Sequence, residues 1–184
     1  MSLHISVISI CGDRRSEVAD LFHQCGYAVE KSFLVHNSND VLRELDWRAH
    51  GGRVAKAVYL SGEWTSIVDP ELVLVSEDVW LEFSRRWSTR VFGWICEGAS
   101  GSYGIAMFDS GVKTREVVSM DGNVVIDEGT PLAEESSIDW TKAWDDDVLE
   151  IAKKLGAVYD YLADREYLIL RLNSSHAALP TSAI

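Results

Sequence analysis

The stretch from Arg90 to Ile126 constrains the fold more than any other part of the chain. It reads as four strands joined by turns so short that only antiparallel pairing connects them. Arg90 to Cys96 is the first strand, and Glu97 to Ser102 is a loop of small residues and glycines. Tyr103 to Phe108 is the second strand. Asp109-Ser110-Gly111 turns the chain into Val112 to Met120, the third. Asp121-Gly122 is a two-residue hairpin signal, since both positions of such a turn need positive φ and this pair tolerates it. Asn123 to Ile126 returns as the fourth strand. Val91, Ile95, Tyr103, Ile105 and Met107 are expected on one face, with Phe92, Trp94, Cys96 and Phe108 on the other. The first two strands are therefore central and buried on both sides. The third has a wetter face with Lys113, Arg115 and Ser119, so the later strands approach an edge.

The flanking sequence alternates strands and helices. His4 to Ile10 is a β-branched strand. Asp13 is expected to cap a helix with Val18, Leu21, Phe22 and Cys25 on its inner face and Gly26 as its stop. Tyr27 to Val35 is a strand. Ser38 or Asn39 caps a second helix, with Val41, Leu42, Leu45 and Ala49 inward and Gly51-Gly52 ending it. Val54 to Leu60 and Trp64 to Val68 are strands, and Leu72 to Val75 is a short apolar strand or an extension of the one before it. Ser76 caps a helix whose stripe is Val79, Trp80, Phe83 and Trp87. Late in the chain, Asp145, Asp146 and Asp147 open a helix and complement its dipole. Lys153 and Lys154 close it, and Gly156 ends it. Glu166 to Leu172 is the last strand, and Asn173 to Ile184 reads as a frayed tail. The expected fold is α+β: one domain over residues 1–184, with a largely antiparallel sheet and about four helices packed mainly on one face.

Charge narrows the function classes. The 184 residues carry a net charge of -12, which argues against nucleic acid, whose phosphates demand clustered Lys and Arg. It suits a basic protein partner. No apolar run reaches membrane-spanning length, and the N-terminus lacks a signal-peptide pattern. Three cysteines, Cys11, Cys25 and Cys96, show no metal-ligand spacing and read as reduced thiols of a cytoplasmic protein. No metal and no cofactor is expected.

Two stretches carry candidate chemistry. Cys11-Gly12-Asp13-Arg14-Arg15 follows a strand and is expected to open a helix, where free N–H groups attract anions. Gly12, Arg14 and Arg15 are the candidate anion-binding residues of a cleft. The bland alternative is a capping Asp13 beside solvated arginines. From Asp127 to Asp147 there are eight acids against Lys142 alone. This reads as a long surface connection with a turn of helix around Trp140. Within it Glu134, Glu135, Asp139, Trp140, Trp144, Asp145, Asp146 and Asp147 form a candidate partner-binding face, aromatic anchors ringed by carboxylates. The competing reading is core tryptophans fastening a loop, with Asp145 to Asp147 capping a helix. Scattered cysteines and histidines offer no nucleophile–base pair, and Cys25 and Cys96 read as core.

The order Trp64-Thr65, a helix ending at Ser84 to Trp87, Thr89-Arg90-Val91-Phe92, Tyr103-Gly104, Phe108-Asp109, Arg115-Glu116 and Gly129-Thr130-Pro131-Leu132 before Glu134-Glu135 is similar to small bacterial α+β proteins. Some of those resemble immunity proteins of polymorphic toxin systems. The expected function, a non-enzymatic binding protein that is inhibitor- or immunity-like, rests on the acidic segment and on the lack of a catalytic constellation, not on this likeness. The motifs of the likeness are turns rather than chemistry.

Overall fold

A computed structural model describes residues 3–24, 27–46, 54–72, 77–160 and 163–173. In chain order the elements are β1 (His4–Cys11), α1 (Val18–Gln24), β2 (Val29–Val35), α2 (Ser38–Leu45), β3 (Val54–Ser61), β4 (Trp64–Asp69), α3 (Glu77–Trp87), β5 (Arg90–Glu97), β6 (Ser102–Asp109), β7 (Val112–Met120), β8 (Asn123–Gly129), α4 (Asp145–Lys154) and β9 (Tyr167–Leu172). Two 3₁₀ turns, Ala133–Glu135 and Trp140–Lys142, lie between β8 and α4. The fold is α+β, and the strands pair antiparallel.

The chain gathers into two compact units. The larger takes Met1–Asp13 and Leu60–Asp160; the smaller takes Arg14–Tyr59 and Tyr161–Ile184. In the smaller unit the strand order is β2-β9-β3. Phe22 and Val18 of α1, Val41 of α2, and Val58, Tyr59, Tyr167 and Ile169 are buried there. The Tyr59 and Tyr167 rings meet edge to face at 5.5 Å. Asn37, one residue before the expected cap, starts α2 by accepting the Asp40 N–H at 2.9 Å. Cys25, Gly26, Ala49, Gly51, Gly52, Ser76 and residues 174–184 lie outside the described residues, and so do three residues of the expected strand Leu72 to Val75.

In the larger unit the order is β4-β1-β5-β6-β7-β8. The meander forms where the sequence places it, and its last turn has φ of 48° at Asp121 and 75° at Gly122. The faces differ from expectation. Gly93 pairs with Ala106, Trp94 with Ile105 and Cys96 with Tyr103. Val91 and Ile95 therefore share a face with Phe108, while Tyr103, Ile105 and Met107 join Phe92, Trp94 and Cys96. The turn between β5 and β6 sets this register, and a shift of one residue moves every side chain to the opposite face.

Helices cover both faces of this unit's sheet. Trp80 and Phe83 of α3 are buried on the Gly93–Phe108 side, where the Trp80 and Phe108 rings meet at 6.2 Å. On the Trp94–Cys96 side lie α4, the 3₁₀ turns and Tyr159, whose ring stands 5.2 Å from Trp94. Burying each large ring contributes about 2 kcal/mol. The expected helix placement, mainly on one face, is thus refined here to α3 on one side and α4 on the other. Among the described residues no helix is long and apolar enough to cross a membrane.

Candidate functional site

The acidic connection divides into an inner and an outer part. The inner part is held by Arg115, an inward-pointing residue of β7 that is only 2% exposed. Its guanidinium donates to both carboxylate oxygens of Glu135, from Nε at 2.9 Å and from Nη2 at 2.7 Å. Nη1 reaches Asp127 Oδ1 at 2.5 Å and the Glu128 carbonyl at 3.1 Å. The paired carboxylates, Glu135 first, raise the Arg115 pKa. Glu135 also accepts the Leu132 N–H at 2.8 Å and the Trp140 indole N–H at 3.1 Å. Four donors, Arg115 Nε and Nη2, the Leu132 N–H and the Trp140 indole, converge on one buried carboxylate. Glu135 and Trp140, expected on the surface, are buried instead and fasten the connection to the sheet. The reason is Arg115, whose buried charge needs a partner.

Asp145 also turns inward. One of its oxygens accepts the Leu3 N–H at 2.9 Å, and the carboxylate faces the Cys96 thiol. Burial first, then Asp145, pushes the Cys96 thiol well above its ordinary value of 9.0. Cys96 is accordingly a buried, inert packing residue. The same surroundings raise the Tyr103 hydroxyl, through burial and then Asp145.

The outer part remains on the surface. Trp144 is 66% exposed, and its ring lies 6.3 Å from that of Tyr103. It sits at the N-cap of α4, where Asp147 accepts its N–H at 2.9 Å. Asp146, Asp139 and Glu150 are exposed, and Glu134 and Asp147 are half-buried. The Asp139 carboxylate accepts the Thr141 hydroxyl at 2.6 Å and meets Lys142 at 3.1 Å. These contacts, Thr141 first, lower its pKa, so it is charged at neutral pH.

The anion-binding expectation loses its frame. The helix α1 starts at Val18, so Arg14 and Arg15 precede it and do not stand in its first turn. Arg14 meets Glu17 at 3.2 Å and Arg15 meets Glu166 at 3.3 Å. The Gly12 N–H, which would cradle an anion, donates to the Glu63 carbonyl at 2.7 Å. Among the described residues no three His, Cys, Asp or Glu side chains come together as a metal site would.

No family model, curated protein or solved structure matches this chain.

A second carboxylate cluster escapes sequence reasoning. On the α3 side of the sheet Lys113 Nζ meets Glu116 at 2.6 Å, Glu128 at 2.9 Å and Glu77 at 3.3 Å. These contacts, Glu116 first, raise the Lys113 pKa. The register makes this visible, because Glu116 pairs with Glu128 across β7 and β8. In sequence, Lys113 and Glu116 are three apart in a strand, a spacing that without the bulge in β7 puts them on opposite faces.

Proposed function

We propose that this is a non-enzymatic, acidic, cytoplasmic binding protein that occupies a basic protein partner, as an inhibitor or immunity protein does. The observation that carries this reading is Trp144: a large aromatic side chain held two-thirds exposed at a helix N-terminus, in a segment that also carries Asp139, Asp146 and Asp147. A tryptophan in that position serves as an anchor when a partner covers it, and the carboxylates around it select for positive charge.

Charge distribution supports the same reading. The larger unit holds 21 of the 29 acids and 8 of the 17 Lys and Arg, a net of -13; the smaller holds 8 acids and 9 bases, a net of +1. The excess of negative charge thus belongs wholly to the unit that carries Trp144. Such a field speeds encounter with a cationic partner and weakens as salt screens it.

Capture from a lysate of the native host, on immobilised wild type and on Trp144→Ala, tests this. The expected result is a basic protein retained at low salt, reduced at moderate salt and lost in the variant. Retention of only acidic proteins, or equal retention by both, removes the reading.

A further inference from the structure

The opposite face of the larger unit's sheet carries an open groove of about 160 Å³ lined by Glu77, Trp80, Ile95, Gly104, Phe108 and Val118, among others. We infer that this groove is a second contact site, which takes one aromatic side chain from a basic segment of a protein partner. It goes beyond the proposed function, because it lies on the other side of the sheet from Trp144.

Two glycines explain the groove. Both lie on the α3 side of adjacent strands, Gly93 on β5 and Gly104 on β6. The space above Gly93 is filled from within: a Cβ there would stand 2.5 Å from the Trp80 ring. At Gly104 the close approach comes from the neighbouring strand instead. The nearest neighbours of Gly104 are all on β7, with the Val117 carbonyl oxygen at 2.9 Å and Val118 Cγ2 at 3.0 Å from an ideal Cβ. Ile95 pairs with Gly104 and Gly104 with Val118, so the glycine is a notch between two branched side chains. Ile95 and Val118 remain half-exposed, and Met120, at the end of the same strand, is exposed. The Trp80 ring covers Gly93 and also lines the groove, whose floor at Gly104 carries no side chain of its own.

Size and charge select the occupant. A cavity of about 150 Å³ accommodates one benzene ring, whereas cofactors and drug-sized ligands occupy at least about 300 Å³. The groove thus fits a single side chain. At its rim Glu77 and Glu116, with Glu128 beyond them, all meet Lys113, so this cluster of three carboxylates and one ammonium is net negative. Basic residues flanking the inserted ring would meet those carboxylates.

Two capped synthetic peptides test this by amide NMR on the intact protein: one tryptophan flanked on each side by two lysines, and its alanine counterpart. The tryptophan peptide is expected to saturate with a Kd on the order of 1 mM or below, shifting the amides of Gly104, Ala106 and Val118. The alanine peptide binds at least about tenfold more weakly, the cost of losing one anchor of 1.4 kcal/mol. Val118→Lys, at a half-exposed position, loses binding while keeping its melting temperature, and Trp144→Ala binds as wild type does. Equal affinity for the two peptides, or no saturation, overturns the inference. So do shifts confined to Trp144 and Asp146, which would leave the first face standing and remove the second.

Discussion

Arg115 and Glu135 depend on each other. Without Arg115 the buried Glu135 carboxylate keeps only the neutral Leu132 and Trp140 N–H donors and loses its charge partner. Arg115→Ala should therefore destabilise the protein by about 3–5 kcal/mol, read from urea unfolding. Replacing both, Arg115→Met with Glu135→Leu, should recover most of that loss. A double variant as unstable as the single one would show that the pair does more than neutralise itself. Trp140→Phe keeps the ring but loses the donor to Glu135, and should cost about 1.5–3 kcal/mol. Cys96 makes a pH-dependent prediction. Its folded pKa lies above the ordinary 9.0, so the unfolded chain ionises first as pH rises. Its contribution to stability is complete below that value and is lost above it. Urea midpoints of the wild type should fall more steeply than those of Cys96→Ala above about pH 9 and run parallel to them below. Parallel curves throughout would mean that the thiol is not held neutral.

At the scale of elements, the contact between α3 and β5 is the clearest case of a helix seated by an absent side chain. Gly93→Ala places a methyl group inside the Trp80 ring's space, so the helix must shift. The expected cost is about 1–3 kcal/mol, and Trp80→Leu in the same background should restore part of it. Unchanged unfolding in Gly93→Ala would mean that the ring moves freely. The meander and the α4 helix were legible in the sequence because turn chemistry is local. Asp121-Gly122, Gly111 and the acids before Val148 act within a few residues. The sharing of faces between β5 and β6 was not legible, since one residue of register decides it and the Gly98–Gly101 turn does not announce its length. The start of α1 was misplaced: the chain first makes a turn in which the Arg14 carbonyl accepts the Glu17 and Val18 N–H groups, and the helix begins at Val18. The exposure of Asp139, Trp144 and Asp146 was legible, while the burial of Glu135 and Trp140 was not. Nothing local to Glu135 says that Arg115, twenty residues away, is buried beneath it.

Across the whole molecule, charge is the property with the longest reach. The two units differ by 14 formal charges, -13 against +1, although the chain runs from one to the other and back. A running count along the sequence mixes them, which is why only the Asp127 to Asp147 segment stood out. A partner steered by the larger unit should associate more slowly as ionic strength rises, with dissociation changing far less. The measurement that bears most directly on this account is hydrogen exchange of the protein alone and with the basic protein that it captures. New protection should appear around Trp144 to Asp147, with none in the smaller unit. Protection gained only in the smaller unit, or none anywhere, would contradict the claim that the acidic, tryptophan-bearing surface is where this protein meets its partner.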